Sequence, residues 1–136
     1  MKCVLDKGAI LPVRAHALDA GYDLFSREDV IIYGGDSWTF DTGVHLAIEP
    51  GWVGDVKSKS GLMMNGLITD GTVDAGYTGS IRVKVFNLSR CAMSIVRGQK
   101  IAQLVIKKID TPELEVVDSL DVTERGTGGF GSTGLF

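Results

Sequence analysis

Ile81, Val83 and Val85 alternate with Arg82, Lys84 and Phe86. A period of two places the aliphatic set on one face of an extended strand. The runs Tyr22–Phe25, Val30–Tyr33, Trp38–Phe40, Val44–Ile48 and Trp52–Lys57 are short and rich in β-branched and aromatic residues. Turn signals separate them at Gly34-Gly35-Asp36, Thr42-Gly43 and Pro50-Gly51, as strand boundaries require. Ile101–Ile109 and Leu114–Val117 complete the strand set. Only Ser60–Asn65 reads as a helical turn, with Ser60 as its N-cap. Many short strands at even spacing predict an all-β protein, an antiparallel sandwich or barrel of the jelly-roll kind.

The pattern changes at the C-terminal end. From Arg125 to Gly134 five of ten residues are glycine, and Phe130 is the one large apolar side chain. Such a stretch contributes little to a core and is expected to be mobile by itself. There is no internal repeat and no linker. The expected organisation is one β-barrel domain over residues 1–124, followed by a mobile glycine-rich arm over 125–136.

A chain of 136 residues is about one domain and can bury a real core. No apolar run is long enough to span a bilayer, and no signal-like apolar stretch follows Lys2. A formal net charge of −3 argues against a nucleic-acid polymer as partner. Cys3 and Cys91 lie far apart in sequence, inside apolar patterns, and His16 and His45 are the only histidines. No zinc-ligand spacing arises. Two free thiols fit a reducing, cytoplasmic setting.

Chemistry concentrates in a few blocks. Residues 71–79 read Gly-Thr-Val-Asp-Ala-Gly-Tyr-Thr-Gly. Asp74 stands three residues before Tyr77, and the turn at Ala75–Gly76 predicts a hairpin with Thr72–Val73 and Ser80 onward as its arms. A carboxylate and a flat ring above an open backbone edge suit a small polar ligand with a planar part. A plain surface turn accounts for Asp and Gly equally well. Ser58-Lys59-Ser60-Gly61 puts a cation and a hydroxyl where a strand gives way to a helical turn, a setting that favours anions. It lacks the residue order of a P-loop, and a helix cap beside a solvated lysine is the simpler account of it alone. Gln103 is a neutral amide inside an apolar strand, either a solvent-side residue or a ligand donor. Asp23, in Ala20-Gly21-Tyr22-Asp23-Leu24, either caps a turn or orients a metal-bound water. In the arm, glycine amides, Ser132, Thr133 and Arg125 are suited to phosphate oxygens. Phe130 offers a stacking face, worth on the order of 1–3 kcal/mol for a base.

Taken in order, these blocks resemble the five motifs of the trimeric dUTPase family. They are Ala20–Leu24, Ser58–Gly61, Gly71–Gly79, Arg97–Leu104 (RGQKIAQL) and Arg125–Gly134 (RGTGGFGSTG). The resemblance runs from about Leu11 to Gly134, and the third and fifth motifs are its most specific parts. It implies that Asp74 activates the attacking water. It implies that Tyr77 packs on deoxyribose and excludes a 2′-hydroxyl. The backbone of Gly71, Thr72 and Val73 would pair with uracil. Lys59, Ser60, Gly61 and Gln103 would contact phosphates, and Arg82 would touch the nucleotide. Arg125, Phe130, Gly131, Ser132 and Thr133 would form a closing arm, with Phe130 on uracil and the others on the γ-phosphate. Asp23 would lie in the outer shell of a magnesium ion (Mg2+) held mainly by the substrate phosphates.

Two departures stand out. Lys59 occupies a position that is usually arginine in the family, so a planar fork becomes a point charge. The segment between Gly61 and Gly71 is slightly short, with Ile68 where some members are polar, which shifts uracil recognition toward backbone groups. The implied reaction is attack of water on the α-phosphorus of dUTP, giving dUMP and pyrophosphate, in sites shared across a homotrimer. Two alternatives are a dCTP deaminase or bifunctional enzyme of the same fold, against which Tyr77 and Phe130 argue, and a phage regulatory protein that binds a repressor through the nucleotide site.

Overall fold

The computed structural model describes residues 1–129 and Ser132. Eleven strands and one helical turn are present among them: β1 (Lys2–Leu5), β2 (Gly21–Phe25), β3 (Val30–Ile32), β4 (Ser37–Asp41), β5 (Val44–Ala47), β6 (Trp52–Lys57), α1 (Ser60–Met63), β7 (Leu67–Ile68), β8 (Asp70–Val73), β9 (Arg82–Asn87), β10 (Met93–Ile95) and β11 (Lys100–Lys108). Every paired strand is antiparallel. The strands form sheets in the orders β2-β11-β6-β8, β4-β9-β7, β1-β5 and β10-β3. They enclose one apolar interior in the jelly-roll manner expected from the sequence.

The period-two reading of β9 holds in detail. Val83 and Val85, with Ile81 just ahead of the strand, are buried, while Arg82, Lys84 and Phe86 face out. Phe40 on β4, Leu24 on β2 and Leu104 on β11 are wholly buried and knit the two larger sheets together. Gly54 lets β6 sit close to its neighbours, because a Cβ there would stand 3.0 Å from both Ile48 Cδ1 and Leu104 Cδ1. At the head of β11 the register against β2 slips between Lys100 and Ala102. This is a β-bulge, which puts two residues against one. Ile101 and Ala102 are both buried as a result.

Three expectations need correction. Leu114–Val117 is not a strand, and Leu114 and Val116 are almost fully exposed. Its β-branched residues meet no partner strand among the described residues, and strand propensity is expressed only against neighbours. Ser60 is the first residue of α1 rather than its cap; Lys59 holds the cap position with extended backbone, and no side chain caps the turn. Cys3 and Cys91 are free, as expected, but both are exposed although their surroundings in sequence are apolar. The sequence reading also missed β1, β7 and β10, which are short and lack clear alternation.

Phe40→Ala is expected to lower unfolding free energy by about 3–5 kcal/mol, the usual cost of emptying a packed aromatic site. Denaturant titration of the two proteins measures it.

Candidate active site

β8 is the outer strand of its sheet, paired on one side with β6 through Gly54–Val73, Asp55–Thr72, Val56–Gly71 and Lys57–Asp70. Its other side is an unpaired edge, along which alternate residues of the Gly71–Val73 stretch leave main-chain groups for a planar partner. Beyond Val73 the chain turns at Ala75–Gly76, with the Tyr77 amide donating to the Asp74 carbonyl at 3.2 Å. Gly76 has φ of 88°, a value that side-chain-bearing residues disfavour.

The two arms around this turn are not a paired hairpin. β8 belongs with β6, and β9 with β4 and β7. The segment 74–81 therefore crosses from one sheet to the other, and it is held at its base. The Ser80 hydroxyl donates to the Asp41 carboxylate, and the Gly43 amide reaches both Asp41 Oδ1 (3.0 Å) and Ser80 Oγ (2.9 Å). These hydrogen bonds, Ser80 first and Gly43 second, hold the Asp41 carboxyl below its ordinary range. Thr42 donates to the Ile81 carbonyl at 2.7 Å. His45 Nδ1 lies 2.8 Å from the Thr78 carbonyl. Sequence reasoning did not find Asp41, His45 or Ser80 as supports, because their partners lie 33 to 39 residues away.

Tyr77 is tied down as well. Its hydroxyl donates to the Ser80 carbonyl at 3.0 Å, and its ring lies over Gly79, where an added Cβ would stand 2.4 Å from the hydroxyl oxygen. Gly79 thus makes room for the ring, and the half-exposed face of Tyr77 stays open. Thr72, Val73, Asp74, Tyr77, Ile81 and Arg82 line a cleft of about 220 Å³. Five of the residues picked from the sequence thus come together here. Asp74 is exposed at the mouth.

A second group gathers elsewhere. Asp23 on β2 pairs in register with Gln103 on β11. Gln103 Nε2 donates to the Ser58 carbonyl at 3.2 Å, and Gly21 leaves space for the Gln103 side chain. Lys59 donates to Asp23 Oδ1, and Lys100 Nζ stands 2.6 Å from Asp23 Oδ2. Burial raises the Asp23 carboxyl, but the hydrogen bonds and charges of Lys100 and Lys59 outweigh it and hold the group below its ordinary range. Ser60 and Gly61 follow directly, exposed, with open space over Gly61. Lys100 was not singled out from the sequence; a charge opening a strand reads there as solvated.

Register separates the two groups. Gly54–Val73 and Lys57–Asp70 are three residues apart on β6. Asp74 lies past one end and Lys59 past the other, about 16–20 Å apart at the usual strand rise. Arg125 is distinct again. It is exposed, with Nε donating to the Gly128 carbonyl at 2.8 Å within its own turn. Ser132 is exposed, and its amide donates to the Gly129 carbonyl. Phe130, Gly131 and Thr133 lie outside the described residues.

A family model described as dUTPase matches residues 7–134. The chain belongs to the dUTPase family. The deoxyuridine 5′-triphosphate nucleotidohydrolase of Clostridium kluyveri is 45% identical to it over 134 residues, which cover 96% of this chain and 94% of the relative. That of Rhodococcus erythropolis is 44% identical, over 96% of this chain and 82% of the relative. Among solved structures, the dUTPase of Staphylococcus bacteriophage 80alpha with dUPNHPP superimposes with a TM-score of 0.92 at 34% identity, covering 98% of both chains. That work describes phage dUTPases as controlling transfer of virulence genes. A mutant dUTPase from phage phi11 of S. aureus, described with a structural Mg(II) ion, matches with a TM-score of 0.83 at 30% identity, over 89% of this chain and 98% of that one. Among the described residues of this dUTPase, no group of three or more His, Cys, Asp or Glu side chains is placed to hold a metal. Both oxygens of Asp23 already face ammonium groups, so these residues alone do not fit a protein-held magnesium ion. No helix among the described residues is long and apolar enough to cross a membrane.

The depressed Asp23 carboxyl has a pH consequence. Its contribution to stability is fully present above the unfolded carboxyl value, about 3.9. It is lost as pH falls through the lower folded value. The acid limb of the stability curve should therefore be shallower in Asp23→Asn than in the parent, as measured by denaturant midpoints from pH 7 to pH 2.

Proposed function

We propose that this dUTPase hydrolyses dUTP to dUMP and pyrophosphate in sites that each draw on more than one copy of the chain. The observation that carries this reading is the split between the Asp74–Tyr77 cleft and the Lys59–Gln103 group. A base that works at the α-phosphorus must stand beside the groups that hold the β- and γ-phosphates. Ends of one sheet about 16–20 Å apart do not meet that need. Closed symmetry between copies does, by setting one end of this sheet against the opposite end of a neighbour. The cleft agrees: about 220 Å³ is less than the roughly 300–1,000 Å³ of a typical ligand pocket. The segment after β11 agrees too. Leu114, Val116, Leu120 and Val122 are 86–100% exposed in the single chain, a surface that favours burial against another copy. The family's homotrimer is the assembly we infer.

The residues then take these roles. Main-chain groups of Gly71, Thr72 and Val73 on the open edge of β8 pair with uracil. Tyr77, fixed by Ser80 and Gly79, packs on the deoxyribose and leaves no room for a 2′-hydroxyl. Arg82 closes the cleft beside the nucleotide. Asp74 takes the proton from water as its oxygen attacks the α-phosphorus, and pyrophosphate leaves. General-base assistance of this kind is worth about 10²–10⁴-fold. Lys59, Ser60, Gly61 and Gln103 of another copy hold the phosphates. Arg125, Phe130, Gly131, Ser132 and Thr133 close over the nucleotide, with Phe130 on the base. Phosphoryl transfer depends mostly on positioning and charge stabilisation, which is what this set provides. A magnesium ion accompanying the nucleotide would offset phosphate charge, with Lys59, Ser60, Gly61 and Gln103 still making the protein's contacts. The control of gene transfer described for the phage relatives is theirs; dUTP hydrolysis is the reading that this site supports.

Pyrophosphate release from dUTP, compared with dCTP, dTTP and UTP at equal concentration, tests the activity. Asp74→Asn should lower kcat by roughly 10²–10⁴ with dUTP binding near that of the parent. Mixing unfolded Asp74→Asn and Lys59→Ala chains at equal ratio and refolding them should recover activity. With independent halves, about a quarter of the sites become whole. No recovery from mixed assemblies would place each site within one chain.

Deleting the chain after Arg125 should leave every strand and the assembly intact and suppress turnover strongly. Circular dichroism, light scattering and kcat on one preparation measure all three.

A further inference from the structure

Ion pairs among the described residues fall into three clusters. Arg27 and His45 face Asp6 and Asp41. Lys57 and Lys107 face Asp55 and Asp70. The second has two cations for two carboxylates, and the first has one permanent cation, Arg27, and a histidine for two carboxylates. The third has Lys59 and Lys100 for the single carboxylate of Asp23. It is the one cluster of the three with surplus positive charge, in a chain whose net charge is −3.

One lysine suffices to neutralise a buried carboxylate, so the second needs its own account. Its placement is built into the strand. Lys100 and Gln103 are three residues apart on β11, an odd spacing that puts side chains on opposite faces of a regular strand. Their partners on β2, Phe25 and Asp23, are two apart and share a face. The bulge at Ile101 supplies the difference. It turns Lys100 onto the face of Asp23 and Gln103. Asp23 itself is 4% exposed, whereas the Lys59 and Lys100 side chains are 29% and 43% exposed. The carboxylate thus sits beneath two ammonium groups that stay partly open to solvent. An ammonium has three donors, and each lysine spends one on Asp23.

We propose that Lys59 and Lys100 form a two-point clamp for the β- and γ-phosphates of the nucleotide, with Asp23 as the positioning residue that holds both ammonium groups in place. This rests on the dUTP reading of the site and extends it. Lys100 becomes a substrate-binding residue. Asp23 acts through the lysines instead of through the outer shell of a metal. Two ammonium groups fixed by a common carboxylate offer two separated point charges in place of one planar fork.

Binding of inorganic triphosphate to the full-length protein, in buffer with EDTA and no divalent cation, tests the clamp apart from catalysis. Lys100→Gln should weaken it about tenfold, as expected for one charge-assisted hydrogen bond, and Lys100→Arg should restore most of it. Binding of dUMP, which lacks these phosphates, should stay within about twofold, as expected for a contact confined to the distal phosphates. Asp23→Asn gives the sharper sign. If Asp23 were only a nearby negative charge, its removal would strengthen anion binding. As a positioning residue its removal weakens triphosphate binding although the site becomes more positive. Unchanged triphosphate affinity in Lys100→Gln, or tighter binding in a folded Asp23→Asn, would overturn the proposal. Should the parent bind triphosphate through Lys100 yet release no pyrophosphate from dUTP, the clamp stands and the substrate reading fails.

Discussion

The register of β6 between β8 and β11 is the constraint on which the rest depends. Antiparallel pairing sends the chain out of β8 at one end of this sheet and out of β6 at the other. Asp74 and Tyr77 sit past the first end, and Lys59 and Lys100 past the second. A one-residue slip would turn Val56 outward and move both loops. The buried faces of β2, β6 and β11 thus hold the two groups at a fixed separation. Under the proposed function, that separation is what calls for a second copy of the chain.

Much of this was legible in the sequence where local chemistry decides structure. The alternation around Val83 and Val85 gave β9 directly. The glycines near Asp74 and Tyr77 marked a turn that only small residues permit at Gly76 and Gly79. Ser58 through Gly61 were read as the point where a strand gives way to a helical turn, and β6 does end at Lys57 with α1 opening at Ser60. What stayed hidden depends on contacts distant in sequence. The pairing of β8 with β6 rather than β9 is a choice of sheet, and nothing in residues 71–85 encodes it. Lys100 reaches Asp23 only because a bulge at Ile101 reverses its face. Leu114–Val117 looks like a strand because it has strand-forming residues, but no strand among the described residues lies alongside.

The support of the 74–81 segment shows how little of it is apolar. Ser80, Thr78 and Ile81 are fastened to Asp41, His45 and Thr42 by hydrogen bonds. Burial pins only its far end, at Ile81. Hydrogen bonds are directional where apolar packing is not. A segment fastened in this way keeps Asp74 and Tyr77 in a defined orientation while staying open to solvent, which suits the roles proposed for them.

The open edge of β8 carries a lesson about inheritance. If uracil is read by main-chain N–H and C=O groups, the reading is written in no side chain. Point mutations at Gly71 or Thr72 alter bulk and conformational freedom, but each residue still presents one donor and one acceptor. A lineage can drift at these positions without drifting in the base it accepts. Changing the preferred base demands a different backbone path, and single codons rarely supply one. Selectivity of this kind is hard to lose and equally hard to redirect.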